Sequence, residues 1–262
     1  ELASLSDAVN AMSRSLAEAE AEADAQTAKA RRVQAHLLPD LSAVRGFRAA
    51  FIYQPADTVA GDYFDIVQGG GGVLLFCIAD VSGHGIAAAL EAVVLKAAFL
   101  EAAERGAGPG EALAHVNARF MAASLPGDFA TMLVGRWCPQ SGRLEYASAG
   151  HDPAALVRAG GGRELLGATG LPLGADAAAS WRAASVAAGR GDRLFLSTDG
   201  LPETRDASGA MFGRERLEGL LAGQGGSVEQ VLREVERALL AHRGGLPVSD
   251  DVTLVAIQAG DG

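Results

Sequence analysis

Over residues 1–38, small or apolar side chains recur at Leu2, Leu5, Val9, Met12, Leu16, Ala19, Ala23, Ala30, Val33 and Leu37, with Gln26 as the one polar member of the stripe. The steps alternate between three and four, which is the 3.5-residue heptad of a coiled coil. Polar or charged residues fill most other positions, and the run is longer than an ordinary globular helix, so pairing with a second copy is favoured over a lone amphipathic helix. Its middle, Ala19 to Ala30, offers little surface to bury. A parallel homodimer with a marginal, adjustable centre is expected.

The pattern then changes. The first proline is Pro39 and the first glycine Gly46, although the whole chain carries 34 glycines. This divides the sequence into a helical segment, 1–38, and a domain, 39–262. In the domain, short runs of strand character lie between turn residues: FRAAFIYQP, DYFDIVQ, VLLFCIAD, ATMLVGRWC, GRLEYASAG, AALVRA, WRAASVA, DRLFLSTD and DVTLVAIQ. Helical periodicity is predicted from Ile86 to Arg105, from Pro109 to about Leu125, from Arg214 to Leu221 and from Val228 to His242. Closely spaced strands with helices in consecutive pairs point to antiparallel sheets covered by helices, an α+β fold, rather than a doubly wound parallel sheet. QGGGGV and RAGGGRE read as hairpin tips.

Composition narrows the function classes. The 262 residues are 49% hydrophobic and 21% charged, with a formal net charge of -10. Such an acidic surface repels nucleic acid and anionic lipid at long range, so no nucleic-acid partner is expected. Cys77 and Cys138 are the only cysteines, too few for a disulfide framework or a cysteine metal cluster, and fit a reducing, cytoplasmic setting. The longest apolar stretch, IAAALEAVVLKAAFLEAA, contains Glu91 and Lys96, which argues against a membrane span. The chain opens at Glu1 within a helical pattern, and is expected to be the cytoplasmic part of something longer and membrane-anchored.

The densest chemistry is ADVSGHG at 79–85. GHGIAA fits G-x-G-x-x-A, but Asp80 would face an incoming pyrophosphate, and a helix rather than a strand follows the Ile86 helix, so no dinucleotide unit is completed. The nucleophile elbow G-x-S-x-G also fails, because Asp80 stands two residues before Ser82. Asp80 has company: Asp62 opens a strand in AGDYFD, Asp199 closes one in STDG, and Asp250 and Asp251 precede the last strand in SDDVTLV. Carboxylates gathered at strand ends repel one another unless cations neutralise them, and all-oxygen sites suit magnesium or manganese.

In this order, AGDYFD, ADVSGHG, SAGHDPA, STDGLPE and SDDVTLV resemble the metal-dependent protein serine/threonine phosphatases, the PPM family, in the bacterial branch typified by SpoIIE and RsbU. The resemblance covers about Val33 to Gln258. It implies an α-β-β-α sandwich of two antiparallel sheets flanked by helix pairs, and a centre of two Mn2+ or Mg2+ ions that activates water directly, so no cysteine or serine nucleophile is called for. By position, Asp80 is implied to bridge the two ions, the Val81 carbonyl and Asp62 to hold one, and Asp199 and Asp250 to hold the other. Asp251 is expected to support these ligands, as are His84 and His151.

The family resemblance further implies a phosphorylated regulatory protein as substrate, a STAS-type anti-sigma-factor antagonist. The rival is a phosphatase-like module that binds without hydrolysing, which retention of every carboxylate disfavours. Two departures stand out: relatives have Gly-Gly-Asp where this chain has Ala60-Gly61-Asp62, and no motif supplies an arginine for substrate phosphate, leaving Arg45 and Arg48 as candidates. ELASLSDAVNAMSRSL is similar to the closing helix of a HAMP signal-relay module. If so, VQAHLLPD joins signal to catalytic domain, and rotation there is expected to move the Ile86 and Pro109 helices.

Overall fold

The computed structural model describes residues 2–223 and 226–260, with side chains left undescribed at 2–11, 20, 23 and 24. It separates into two compact units, 1–38 and 39–262. The first is a single helix, α1, Leu2–Ala35. Met12, Leu16 and Val33 of its apolar stripe are exposed. Leu2, Leu5 and Val9 lie outside the described side chains.

The second unit is built on two five-stranded antiparallel sheets. One has the order β1 (Phe47–Gln54), β10 (Val252–Ala259), β9 (Arg193–Ser197), β6 (Ala154–Val157), β7 (Arg163–Leu166). The other runs β2 (Tyr63–Gln68), β3 (Leu74–Val81), β4 (Ala130–Cys138), β5 (Arg143–Ala149), β8 (Ala184–Ala187). Helices α2 (Ile86–Glu104) and α3 (Pro109–Ala123) cover the second sheet, while α5 (Arg214–Leu221) and α6 (Val228–Arg243) cover the first. A short α4 (Gly200–Glu203) follows β9. The α-β-β-α sandwich expected from the sequence is the fold observed.

Strand alternation explains the layers. On β3, Leu75, Cys77, Ala79 and Val81 pack with Leu95, Phe99 and Leu113 of α2 and α3, so Leu74, Phe76 and Ile78, all 1% exposed or less, face the opposite sheet. On β10, Val252, Leu254 and Ala256 pack with Val231, Val235 and Leu239 of α6, so Thr253, Val255 and Ile257 face inward. The two inner faces meet through aromatic pairs: Phe47 of β1 against Trp137 of β4 at 5.5 Å, and Phe51 of β1 against Phe64 of β2 at 4.9 Å.

Two elements differ from expectation. The strand foreseen at WRAASVA begins only at Ala184, because Trp181 is buried under α3's cluster and donates its Nε1–H to the Leu171 carbonyl at 2.9 Å. Strand β7 was not separately foreseen. Three of its four residues are exposed, so it shows no apolar alternation and is held by backbone pairing to β6.

Candidate metal centre

The inner stripes of four strands end, at one rim of the sandwich, in polar residues. Phe76 and Ile78 lead to Asp80 on β3; Ile66 and Phe64 lead back to Asp62 before β2. From the other sheet, Leu194 and Leu196 lead to Thr198, and Ile257 and Val255 to Thr253. Side-chain period fixes all four on the inter-sheet face. Asp62, 3% exposed, crosses between sheets: its Oδ2 accepts from Thr198 Oγ1 at 2.9 Å and from Thr253 Oγ1 at 2.5 Å. Its Oδ1 is buried with no hydrogen-bond partner.

Asp251 fixes the loop that carries Asp62. Its Oδ1 accepts from the Ala56 amide at 2.8 Å and its Oδ2 from the Gly61 amide at 2.7 Å. Glycines bring the backbone close here, tightly at Gly61 and with no room for a side chain at Gly200. A Cβ on Gly61 would lie 3.1 Å from the Val81 carbonyl oxygen, and one on Gly200 would lie 2.1 Å from the Asp251 carbonyl oxygen. Ala60, by contrast, is fully buried, and its methyl is accommodated. Asp250 is exposed, with Oδ1 accepting from the Asp251 amide at 2.8 Å.

The acids feel one another. Burial pushes the Asp80 carboxyl up to about 7, with further upward contributions from Asp199, Asp250, Asp251 and Asp152. Burial also raises Asp62 well above the carboxylate range, reinforced by Asp80 and opposed by the two threonine hydroxyls. Asp199 is raised by burial and by Asp250, Glu203 and Asp152. A group of carboxylates that resists ionisation together, with one buried oxygen left unpartnered, has the donor chemistry of a hard divalent cation site. Among the described residues no three His, Cys, Asp or Glu side chains are grouped closely enough to hold a metal ion by themselves. An ion held here would therefore keep much of its water, as magnesium commonly does.

Within ADVSGHG, Ser82 is structural in this geometry. Ser82 and Phe129 exchange two bonds, Ser82 N–H to the Phe129 carbonyl at 2.9 Å and Phe129 N–H to Ser82 Oγ at 3.1 Å. His84 is exposed. His151 is buried, its Nδ1 at 2.7 Å from Thr131 Oγ1, and Thr131 stands opposite Asp80 in the β3–β4 ladder. Burial lowers the His151 imidazole to about 4, so the ring is neutral and ties the 148–152 turn to the strand beside Asp80.

Arg45 and Arg48 are not at this rim. Arg48 pairs with Gln258 on β10, whereas Thr253 pairs with Tyr53 at the other end of the same ladder. At about 3.4 Å per residue, five steps put Arg48 roughly 17 Å along the strand from the acids. Sequence reasoning overlooked Thr198 and Thr253, because hydroxyl β-branched residues in strands are ordinary. It also gave no role to Arg214, whose Nη2 reaches Asp152 Oδ2 at 2.5 Å across 62 positions of sequence.

Solved structures share the sandwich of two sheets. The SiaA-PP2C domain of Pseudomonas aeruginosa superposes with a TM-score of 0.82 at 23% identity, covering 92% of this chain and 98% of that one. The catalytic domain of the serine/threonine protein phosphatase PstP, solved with two manganese ions, matches at TM-score 0.60 and 18% identity, over 82% of this chain and 99% of its own. At these identities the likeness concerns the fold. The family model described as Stage II sporulation protein E (SpoIIE) matches residues 70–260, and the chain belongs to that family. Curated relatives include Protein IcfG of Synechocystis sp., 26% identical over 87% of this chain and 40% of its own length. Phosphoserine phosphatase RsbU of Bacillus subtilis is 27% identical over 78% of this chain and 61% of its own length. The chain thus spans about two fifths to three fifths of these two relatives.

Proposed function

We propose that this chain is a manganese- or magnesium-dependent protein serine/threonine phosphatase that removes phosphate from phosphoserine or phosphothreonine on a regulatory protein. The observation that carries the reading is the rim itself: Asp62, Asp80, Asp199 and Asp250 at strand ends, with Asp62 locked across the sheets and one of its oxygens buried and unpartnered. The PstP domain solved with manganese and the relative named phosphoserine phosphatase support it.

In this reading Asp80 would serve both ions, Asp62 and the Val81 carbonyl would hold one, and Asp199 and Asp250 would hold the other. When bound, the cations supply the positive charge that a phosphate monoester dianion needs and activate water for attack on phosphorus. The chain's own contributions are orientation and charge. Thr198 and Thr253 fix Asp62 Oδ2 and so direct Oδ1. Asp251 holds the 56–61 loop through two amides, and Gly61 lets that loop lie against the Val81 carbonyl. His151, neutral and buried, braces Thr131 beside Asp80.

The finer assignments belong to the same proposal. The substrate is a STAS-type anti-sigma-factor antagonist, in keeping with the RsbU relative. Helix α1 forms a parallel dimeric coiled coil continuing a HAMP-like relay, and its exposed Met12, Leu16 and Val33 are the seam. No described helix is long and apolar enough to cross a membrane, and cytoplasmic placement is part of the reading. The test is phosphate release from p-nitrophenyl phosphate and from a phosphoserine protein across a manganese titration. Turnover that requires manganese supports the proposal. Its absence with both substrates, at every manganese level, favours a non-catalytic binding module.

A further inference from the structure

We infer that Arg214, held at the rim by Asp152, is the residue that receives the substrate's phosphate group. The inference rests on the phosphatase reading above and adds the substrate-binding cation that the motifs left unassigned.

The placement follows from backbone geometry. In the first sheet Ala155 pairs with Phe195 and Val157 with Arg193. Asp152 stands three residues before the last pair of that ladder and Thr198 three residues after it, so both follow where the two strands part, next to Asp199. From the second sheet, His151 contacts Thr131, which stands opposite Asp80. Asp152 therefore lies between the strand ends that carry Asp80 and Asp199, and its charge acts on both carboxyls.

Arg214 is brought to the same place from the other side. It opens α5, and the residues just before it are pinned to α4, which starts directly after Asp199. Gly213 N–H donates to the Pro202 carbonyl at 2.9 Å, and Phe212 N–H to the Thr204 carbonyl at 2.8 Å. Its side chain is 41% exposed while that of Asp152 is 26% exposed, so the guanidinium reaches solvent rather than the core.

Chemistry then assigns the role. The rim is lined by acids, and a phosphate monoester brings two more negative charges. Bound cations offset charge at the reacting oxygens, but a phosphoryl group must also be oriented, which a guanidinium fork does through two parallel N–H donors. The present pair is a single contact between Nη2 and one carboxylate oxygen. Asp152 thus acts as a placeholder that keeps Arg214 at the rim and yields it to a better, dianionic acceptor.

The two members of the pair are predicted to behave oppositely. With manganese saturating, Arg214→Ala raises KM for a phosphoserine protein by about tenfold or more, with a smaller effect on kcat, and weakens competitive inhibition by inorganic phosphate to a similar degree. Arg214→Lys recovers part of this loss. Asp152→Asn removes the competing charge while the Gly213 and Phe212 backbone bonds still carry Arg214 to the rim, so KM is lowered or unchanged. Arg143→Ala, at an exposed ion pair with Glu145, serves as the control and leaves KM unchanged. If the ion pair only anchors α5, Arg214→Ala and Asp152→Asn change stability and KM together, and the inference is overturned. An unchanged KM and phosphate inhibition constant in Arg214→Ala overturn it as well. A wild type without manganese-dependent turnover contradicts the phosphatase reading and this inference with it, an outcome distinct from active enzyme with an indifferent Arg214.

Discussion

The two ends of the inter-sheet layer are made by the same two sheets and differ in what closes them. At one end Phe47 of β1 meets Trp137 of β4, edge to face. At the other, the same pleated faces end in Asp62, Asp80, Thr198 and Thr253, and the contact between sheets is a pair of hydroxyl-to-carboxylate bonds. The first end gains from dispersion and water exclusion. The second has carboxyls raised by burial and mutual repulsion, an unfavourable arrangement until cations arrive. A site has been made by exchanging the last residue of each core stripe, with no separate scaffold.

That contrast can be broken from the apolar end first. Trp137 is fully buried and donates its Nε1–H to the Ala188 carbonyl at 3.0 Å, so Trp137→Ala is expected to cost about 3–5 kcal/mol in urea unfolding. Metal affinity of the fraction that stays folded should be little changed. At the polar end the signs reverse. Asp80→Asn should reduce manganese-dependent turnover by at least about a hundredfold, while the metal-free protein becomes more stable at pH 8, because a disfavoured negative charge is gone. Equal or lower melting temperature in the metal-free variant would show that the rim acids do not oppose folding.

Acidity sharpens the comparison further. The Asp80 carboxyl lies at about 7 without cations, raised from 3.8. Below that value an ion must displace a proton, so the rise in melting temperature produced by manganese should shrink from pH 8 to pH 5.5. His151 runs the other way: its neutral form is favoured in the fold, lowered from 6.5 to about 4. Its stabilisation is present above pH 6.5 and is lost as pH falls towards 4, by up to about 3 kcal/mol. His151→Asn should flatten that acid limb of the stability profile, measured by chemical unfolding at fixed ionic strength. The smallest effect is expected at Thr253→Val, which keeps shape but removes the 2.5 Å bond to Asp62. Manganese affinity should fall by about ten- to a hundredfold at most, read by calorimetry.

The polar rim was easier to see in the sequence than much of what supports it. Asp62, Asp80, Asp199 and Asp250 were legible because each flanks an apolar strand at its end, Asp62 and Asp199 directly beside glycine. The sandwich was legible because β3 and β10 are bounded by clear turn signals and the helices come in pairs. Strand β7 was not, since its register is set by β6 rather than by its own pattern. Thr198 and Thr253 look like ordinary strand residues until the sheets are stacked and both meet Asp62. Arg45 and Arg48 lie near the start of the first strand, but antiparallel pairing carries that end away from the acids. Arg214 and Asp152 are brought together only by the fold, and no spacing rule links them.

The central claim is that the rim acids act jointly, through cations, rather than as separate turn residues. Calorimetric titration of manganese into the protein at pH 8 tests it most directly, with Asp80→Asn alongside. The account predicts two ions bound per chain in the wild type and both weakened in the variant, since Asp80 serves both. No binding in the wild type, or binding that Asp80→Asn leaves untouched, would contradict it.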